Sequence, residues 1–263
     1  MARTSRSTSI AAGIKNIRLR PGQRNYVDTI IKSDITFCYG PAGTSKTFTA
    51  CYTALQMLQN KEIKEIILCK PIQEAGEKLG HLPGGIEDKV DPYMKSYKSN
   101  LVKIIGHELT ETLFEKRIIK FEPLAYMRGD TFDDALMVLD EAQNATFKQL
   151  MLFVGSRIGT IFTDTTPSII TNVQFQFTSN TNDPLDLKFV TRMGSKSKVV
   201  VTGDVSQADI AASQVSLPDF IKLIEDVKGV GIHIFTEKDI VRAKILQEVV
   251  VRYDKWKTQN NIK

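Results

Sequence analysis

Residues Ile35–Thr47, ITFCYGPAGTSKT, decide how the rest of the chain is read. A short apolar run (Ile35, Phe37, Tyr39) enters a turn of glycines and small residues, and Lys46-Thr47 then opens a helical stretch. A buried strand ending in such a turn gathers backbone N–H groups and a helix N-terminus around one point, where they attract the oxygens of a di- or triphosphate. The template is G-x-x-x-x-G-K-[ST], whose lysine reaches the β- and γ-phosphates and whose hydroxyl meets Mg2+. Gly40, Lys46 and Thr47 fit it, while Ser45 stands where the last glycine is expected. The loop Gly40, Pro41, Ala42, Gly43, Thr44, Ser45 is therefore read as a phosphate cradle. A Cβ at Ser45 is expected to crowd its approach to phosphate.

The bulk of the chain suits this reading. Its 263 residues suffice for one α/β domain, or one domain with an insertion. No apolar run approaches the ~20 residues that span a bilayer, and Ile10–Ile14 is too short for a signal-peptide core. Cys38, Cys51 and Cys69 sit on apolar segments without metal-ligand spacing, and read as buried, reduced thiols of a cytoplasmic protein. The net charge of +5 is unevenly placed: residues 1–24 hold six Lys or Arg and no acid, which leaves the remainder at −1. Residues 238–263 hold seven Lys or Arg against three acids. Basic ends bind nucleic acid, although solvated tails look alike.

Along the chain, residues 1–18 read as a basic, flexible arm and 19–258 as one domain, with 259–263 as a tail. Helix is expected over Pro21–Lys32, strand over 34–40, helix over 46–60 and strand over 63–69. A breaker-rich loop–helix region covers 73–98, and a helix covers 99–115. Strands follow at 117–121, 135–139 and 195–203, with a helix at 146–154. The last third reads as helix 217–227, strand 231–236 and helix 239–257. Strands alternating with helices imply a parallel sheet with right-handed crossovers. Residues 160–190 break the rhythm with seven threonines and an alternation at Val173, Phe175 and Phe177. They read as an inserted hairpin or loop.

Ala135–Leu139 runs directly into Asp140-Glu141. Asp140 can hold the Mg2+ that Thr47 also binds, and Glu141 can accept a proton from an attacking water. The next strand ends Thr202, Gly203, Asp204, with Gln207 three further on, within reach of a γ-phosphate or the water. Phosphoryl transfer also calls for an arginine. The candidates rank Arg242, Arg192, Arg128, and a neighbouring subunit is the roomier source. Each residue has an ordinary reading too: the acids as helix caps, Gln207 as a solvated loop residue, the arginines as salt-bridge partners.

Together these residues resemble the PhoH family, the phosphate-starvation-inducible ATPases of bacteria and phages. The matching strings are GPAGTSKT, KPIQEAGEKLG with LPG and KVDPY, EPLAYMRGDTFDDALMVLDEAQN, TRMGSKSKVVVTGD-SQ and the terminal DIVR, across about residues 19–253 but not 160–190. The chain departs at Ser45 and in the insertion after Gly159, which makes Arg192, rather than Arg157, the counterpart of the family's TRIG arginine. The resemblance implies a RecA-like P-loop sheet, with the TGD strand between the phosphate-loop strand and the Asp-Glu strand. Through the likeness of that family to superfamily-one helicase motor domains, it also implies ATP, with Gln23 reading adenine. Lys70-Pro71 and Tyr126–Gly129 would then touch a nucleic-acid strand, with Lys70, Tyr126 and Arg128 as contacts. A homo-oligomer, a six-fold ring, and single-stranded RNA as partner are implied as well, with no membrane partner.

The leading expectation is an ATP- and Mg2+-dependent RNA motor. A slow ATP-binding switch is the alternative that Ser45 suggests. A kinase is disfavoured, because a base aimed at water wastes the γ-phosphate.

Overall fold

A computed structural model describes residues 13–71, 86–124, 127, 132–146, 149–150, 153–154, 196–204 and 217–241, with 248, 252–253, 256 and 259 beyond them. Its elements are α1 (Pro21–Lys32), β1 (Ile35–Tyr39), α2 (Lys46–Gln59), β2 (Glu65–Cys69), α3 (Ile86–Ile105), α4 (His107–Glu115), β3 (Ile119–Phe121), β4 (Ala135–Leu139), β5 (Lys198–Gly203), α5 (Leu217–Ile224) and β6 (Val230–Ile234). The strands pair in the order β3-β2-β4-β5-β1-β6, every pairing parallel. The phosphate-loop strand β1 and the acid strand β4 thus flank β5, the order expected for a RecA-like sheet.

Alternation along the strands sorts the core into two layers. Cys38, Ile66, Leu68, Leu136, Val138 and Val200 face α1–α4. Phe37, Ile67, Met137, Leu139, Val199 and Val201 face α5 and the helical residues Leu150, Phe153 and Val154. With helices on both faces, β4 (ALMVL) is buried at every position. That explains why it reads as an unbroken apolar run and not as an alternating one.

Beyond shifts of one to three residues at element ends, the structure departs from the sequence reading in larger features. The helix expected over 99–115 is two helices, α3 and α4. Gly106 parts them at φ +81°, with nothing within 4 Å of the position a Cβ would take. The helix of the breaker-rich region begins at Ile86 and runs unbroken to Ile105, with Tyr97, Leu101, Ile104 and Ile105 buried in the core. The inner part of the basic arm is not loose. Lys15 donates its N–H to Ile104 O at 3.0 Å, and Ile14, Ile17 and Leu19 pack on the same core. The inserted segment 160–190 and residues 1–12 lie outside the described residues. Of the helix expected over 239–257, Asp239 ends a 3-10 turn and Ile240 and Val241 are not helical, while Glu248, Arg252, Tyr253 and Trp256 are.

Tyr97 ties α3 to the two strand ends that matter most. Its hydroxyl donates to Cys69 O at 2.6 Å, with Val138 O at 3.3 Å, at the tips of β2 and β4. Burial pushes the phenol well above its ordinary pKa, so it stays a donor. Tyr97→Phe is expected to cost about 1 kcal/mol of stability, the worth of a buried hydrogen bond whose acceptors keep other partners. Tyr97→Ala is expected to cost about 4 kcal/mol, as for other buried aromatics. Urea unfolding of the two variants checks both values.

Candidate functional site

The phosphate loop leaves β1 through Gly40 and enters α2 at Lys46. Gly40 sits at φ +148°, and a Cβ there would lie 2.4 Å from Phe235 O. That crowding arises because Phe235 continues the β6 pairing, its N–H donating to Tyr39 O at 2.9 Å. At the far side of the loop, Val241 donates its N–H to Gly43 O at 2.8 Å. Thr44 closes the turn internally, donating to Pro41 O at 2.9 Å. Ser45 is left-handed, at φ 66° and ψ 33°. This is a backbone state in which an L-residue carries about 1–2 kcal/mol of strain and glycine almost none. The missing glycine therefore shows first as backbone strain.

Lys46 curls back over the loop, donating to Gly40 O at 2.5 Å and Pro41 O at 2.9 Å. Burial lowers its pKa, and the charges of Asp204, Asp140 and Glu141 act the other way. Next to it Thr47 Oγ1 donates to Asp140 Oδ1 at 2.9 Å. From β5, Thr202 Oγ1 donates to the same oxygen at 2.6 Å. Asp140 is only 6% exposed. Two hydroxyls from two other elements thus fix one buried carboxylate at the mouth of the phosphate loop.

Glu141 also adopts a left-handed backbone, φ 56° and ψ 38°. The turn starts the 3-10 segment Ala142–Asn144. That segment returns Gln143 beneath it. Gln143 donates to Glu141 Oε2 at 2.6 Å, while its own carbonyl accepts the N–H of Asp204 at 2.9 Å. Gly203 permits this approach, since a Cβ there would stand 3.0 Å from Gln143 Oε1 and 2.8 Å from Leu217 Cδ2. Gln143 was not singled out from the sequence, and Thr202 and Asp204 were named at the end of their strand without a role. The signal available was the DEAQ string itself, whose turn carries the glutamine back.

These groups border one cavity of about 310 Å³, lined by Ala42, Gly43, Ser45, Lys46, Thr47, Phe48, Asn100, Asp140, Glu141, Gly203, Asp204 and Val241. Small-molecule clefts have comparable volumes. Gln23 is not in that lining. It sits in the first turn of α1, 8% exposed, where its Oε1 accepts the N–H of Arg20 at 2.9 Å. Lys70 does not point outward as a strand contact would. Its ammonium lies 3.8 Å from Asp140 Oδ2 and 3.9 Å from Glu141 Oε1. Gln207, Arg192, Arg242, Tyr126 and Arg128 lie outside the described residues, although Val241, which immediately precedes Arg242, does line the cavity.

The cavity's donor set fits Mg2+. Within it Thr47 and Asp140 pair a hydroxyl with a carboxylate, hard oxygens 2.9 Å apart. Among the described residues no group of three or more His, Cys, Asp or Glu could hold a metal alone. Mg2+ is commonly held in this way, through one or two carboxylates completed by substrate phosphates and water. The thiols play no part. Cys38, Cys51 and Cys69 are free and buried, and burial pushes Cys38 and Cys51 up, so both stay protonated. Ser45→Gly is expected to raise stability by about 1 kcal/mol by removing the left-handed strain. Thermal or urea unfolding measures it, and a destabilised variant would contradict the backbone assignment.

The sequence pattern of the PhoH family, described as PhoH-like protein, matches residues 16–176 and 178–254. A PhoH-like protein of Bacillus subtilis is 37% identical over 243 residues, covering 92% of this chain and 65% of that protein. One from Synechocystis is 38% identical over 235 residues, covering 89% and 60%. The chain therefore spans about three fifths of the length of these curated relatives. Among solved structures, the Hef helicase domain of Pyrococcus furiosus aligns over 84% of this chain and 39% of its own, with TM-score 0.45 and 12% identity. Among the described residues no helix is long and apolar enough to cross a membrane. With the phosphate loop, the acid pair and the intervening β5 all in place, the chain belongs to the PhoH family and carries a P-loop NTPase domain.

Proposed function

We propose that this domain is an ATP hydrolase that uses Mg2+ and couples turnover to single-stranded RNA. The observation that carries the reading is the Thr47–Asp140 contact at 2.9 Å, which joins the start of α2 to the tip of β4 beside Lys46 and Glu141. Thr47 and Asp140 would hold Mg2+, which when bound supplies neutralising charge across the β- and γ-phosphate oxygens. The amides of Gly40–Ser45 and the ammonium of Lys46 bind and orient the phosphates. Glu141 takes the proton of a water as that water's oxygen bonds to the γ-phosphorus and the bond to the β–γ bridging oxygen breaks. Gln143 holds Glu141 for that task through its 2.6 Å hydrogen bond. Gln23 reading adenine, Gln207 at the γ-phosphate, an arginine drawn from Arg242 or Arg192, Tyr126 and Arg128 as RNA contacts, and a six-fold ring complete the proposal.

A second reading, a slow ATP-dependent switch, is favoured by one feature. Ser45 holds its left-handed backbone at a strain that glycine would not carry, so the loop has less freedom to adjust around phosphate. The two readings part on turnover with and without single-stranded RNA. A motor is stimulated by RNA, and stimulation falls as salt rises because phosphate contacts release counterions. A switch shows neither effect.

Lys46→Ala is expected to abolish ATP turnover with the fold intact by circular dichroism. Glu141→Gln is expected to lower kcat by about 10²–10⁴-fold, the usual worth of a general base, while nucleotide still binds. Wild-type turnover in Lys46→Ala would overturn the site assignment.

A further inference from the structure

Lys70 follows directly after β2, its carbonyl held by the N–H of Leu124 at 3.2 Å. Its side chain is 16% exposed, unusual for a lysine, whose flexible stem ordinarily carries the charge to water. The ammonium instead faces both acids, 3.8 Å from Asp140 Oδ2 and 3.9 Å from Glu141 Oε1, with Ser96 Oγ of α3 at 3.4 Å. The two oxygens it faces are not those already engaged. Asp140 Oδ1 takes the hydroxyls of Thr47 and Thr202, and Glu141 Oε2 takes Gln143. Each carboxylate is thus held on one oxygen by neutral donors and faces the same cation with the other.

We propose that Lys70 is a positioning residue. It holds Glu141 from the side opposite Gln143, and it competes with Mg2+ for the charge of Asp140. The inference rests on the ATPase reading above. A neutral side chain at 70 would leave Glu141 tethered on one oxygen only, and Asp140 with one positive neighbour fewer. Loss of Lys70 then has two effects of opposite sign: poorer chemistry and easier metal binding. A residue with a merely structural role would not separate them.

The test compares wild type, Lys70→Met and Lys70→Arg in the full chain. ATP turnover is measured alongside binding of a fluorescent ATP analogue titrated with Mg2+. Lys70→Met is expected to lower kcat by about tenfold or more, within the range that small misplacements cost, with KM for ATP little changed. It is also expected to need severalfold less Mg2+ for half-maximal analogue binding. Lys70→Arg, which keeps the cation, recovers most of kcat and the wild-type Mg2+ requirement. Wild-type kcat and Mg2+ requirement in Lys70→Met overturn the proposal. So does unchanged RNA-free turnover combined with lost affinity for single-stranded RNA, which makes Lys70 a nucleic-acid contact. Should Lys70→Met fail to fold, Lys70→Arg decides: an altered Mg2+ requirement or low kcat there overturns the role of the cation. A wild-type protein that binds no analogue overturns the ATPase reading itself, and with it this one.

Discussion

Everything in this domain depends on one buried oxygen. Asp140 Oδ1 accepts Thr47 from the start of α2 and Thr202 from β5, and the carboxylate to which it belongs is almost wholly shielded from water. A buried charge is expensive unless it is paired and hydrogen-bonded. The surroundings supply two hydroxyl donors and two ammonium groups, Lys46 acting on it at longer range and Lys70 beside it. The strand order is what makes this possible. With β5 lying between β1 and β4, a threonine at its tip lies beside the acid, while the phosphate loop reaches over from one strand further away.

Strain and order occur together around that point. Ser45 and Glu141, both in the cavity lining, hold left-handed backbones, as Lys61, Arg117, Asp134 and Lys196 do elsewhere; such conformations persist where the surrounding structure determines them. At Ser45 the fixing contacts are the Lys46 and Thr44 bonds back to the loop, and Val241 against Gly43. At Glu141 they are Gln143 and, through it, the backbone of Asp204.

Much of this was legible in the residues. β4 is buried on both faces and so appears as an unbroken apolar run, and the glycines and the Lys46-Thr47 pair after β1 have a narrow chemical meaning. Asp140-Glu141 could be placed because it ends such a strand. What could not be read depends on contacts distant in sequence. A single glycine at 106 splits a helical pattern without disturbing its apolar spacing. Ile14 and Ile17 look like part of a basic arm until α3 is there to receive them. Lys70 carries the same letter whether it faces RNA or an aspartate, and its direction follows from where β4 lies in the sheet. Gln143 was hidden because a 3-10 turn, rather than a regular helix, follows the acids.

On the proposed reading, the lysine–threonine pair of α2 and the acids after β4 serve one triphosphate and its Mg2+. A crystal structure with Mg2+ and a non-hydrolysable ATP analogue tests it most directly. The expected result is the γ-phosphate beside Lys46, the metal against Thr47 and on the side of Asp140, and Glu141 facing a water in line with the γ-phosphorus. A nucleotide bound elsewhere, or a metal that touches neither Thr47 nor the surroundings of Asp140, would contradict it.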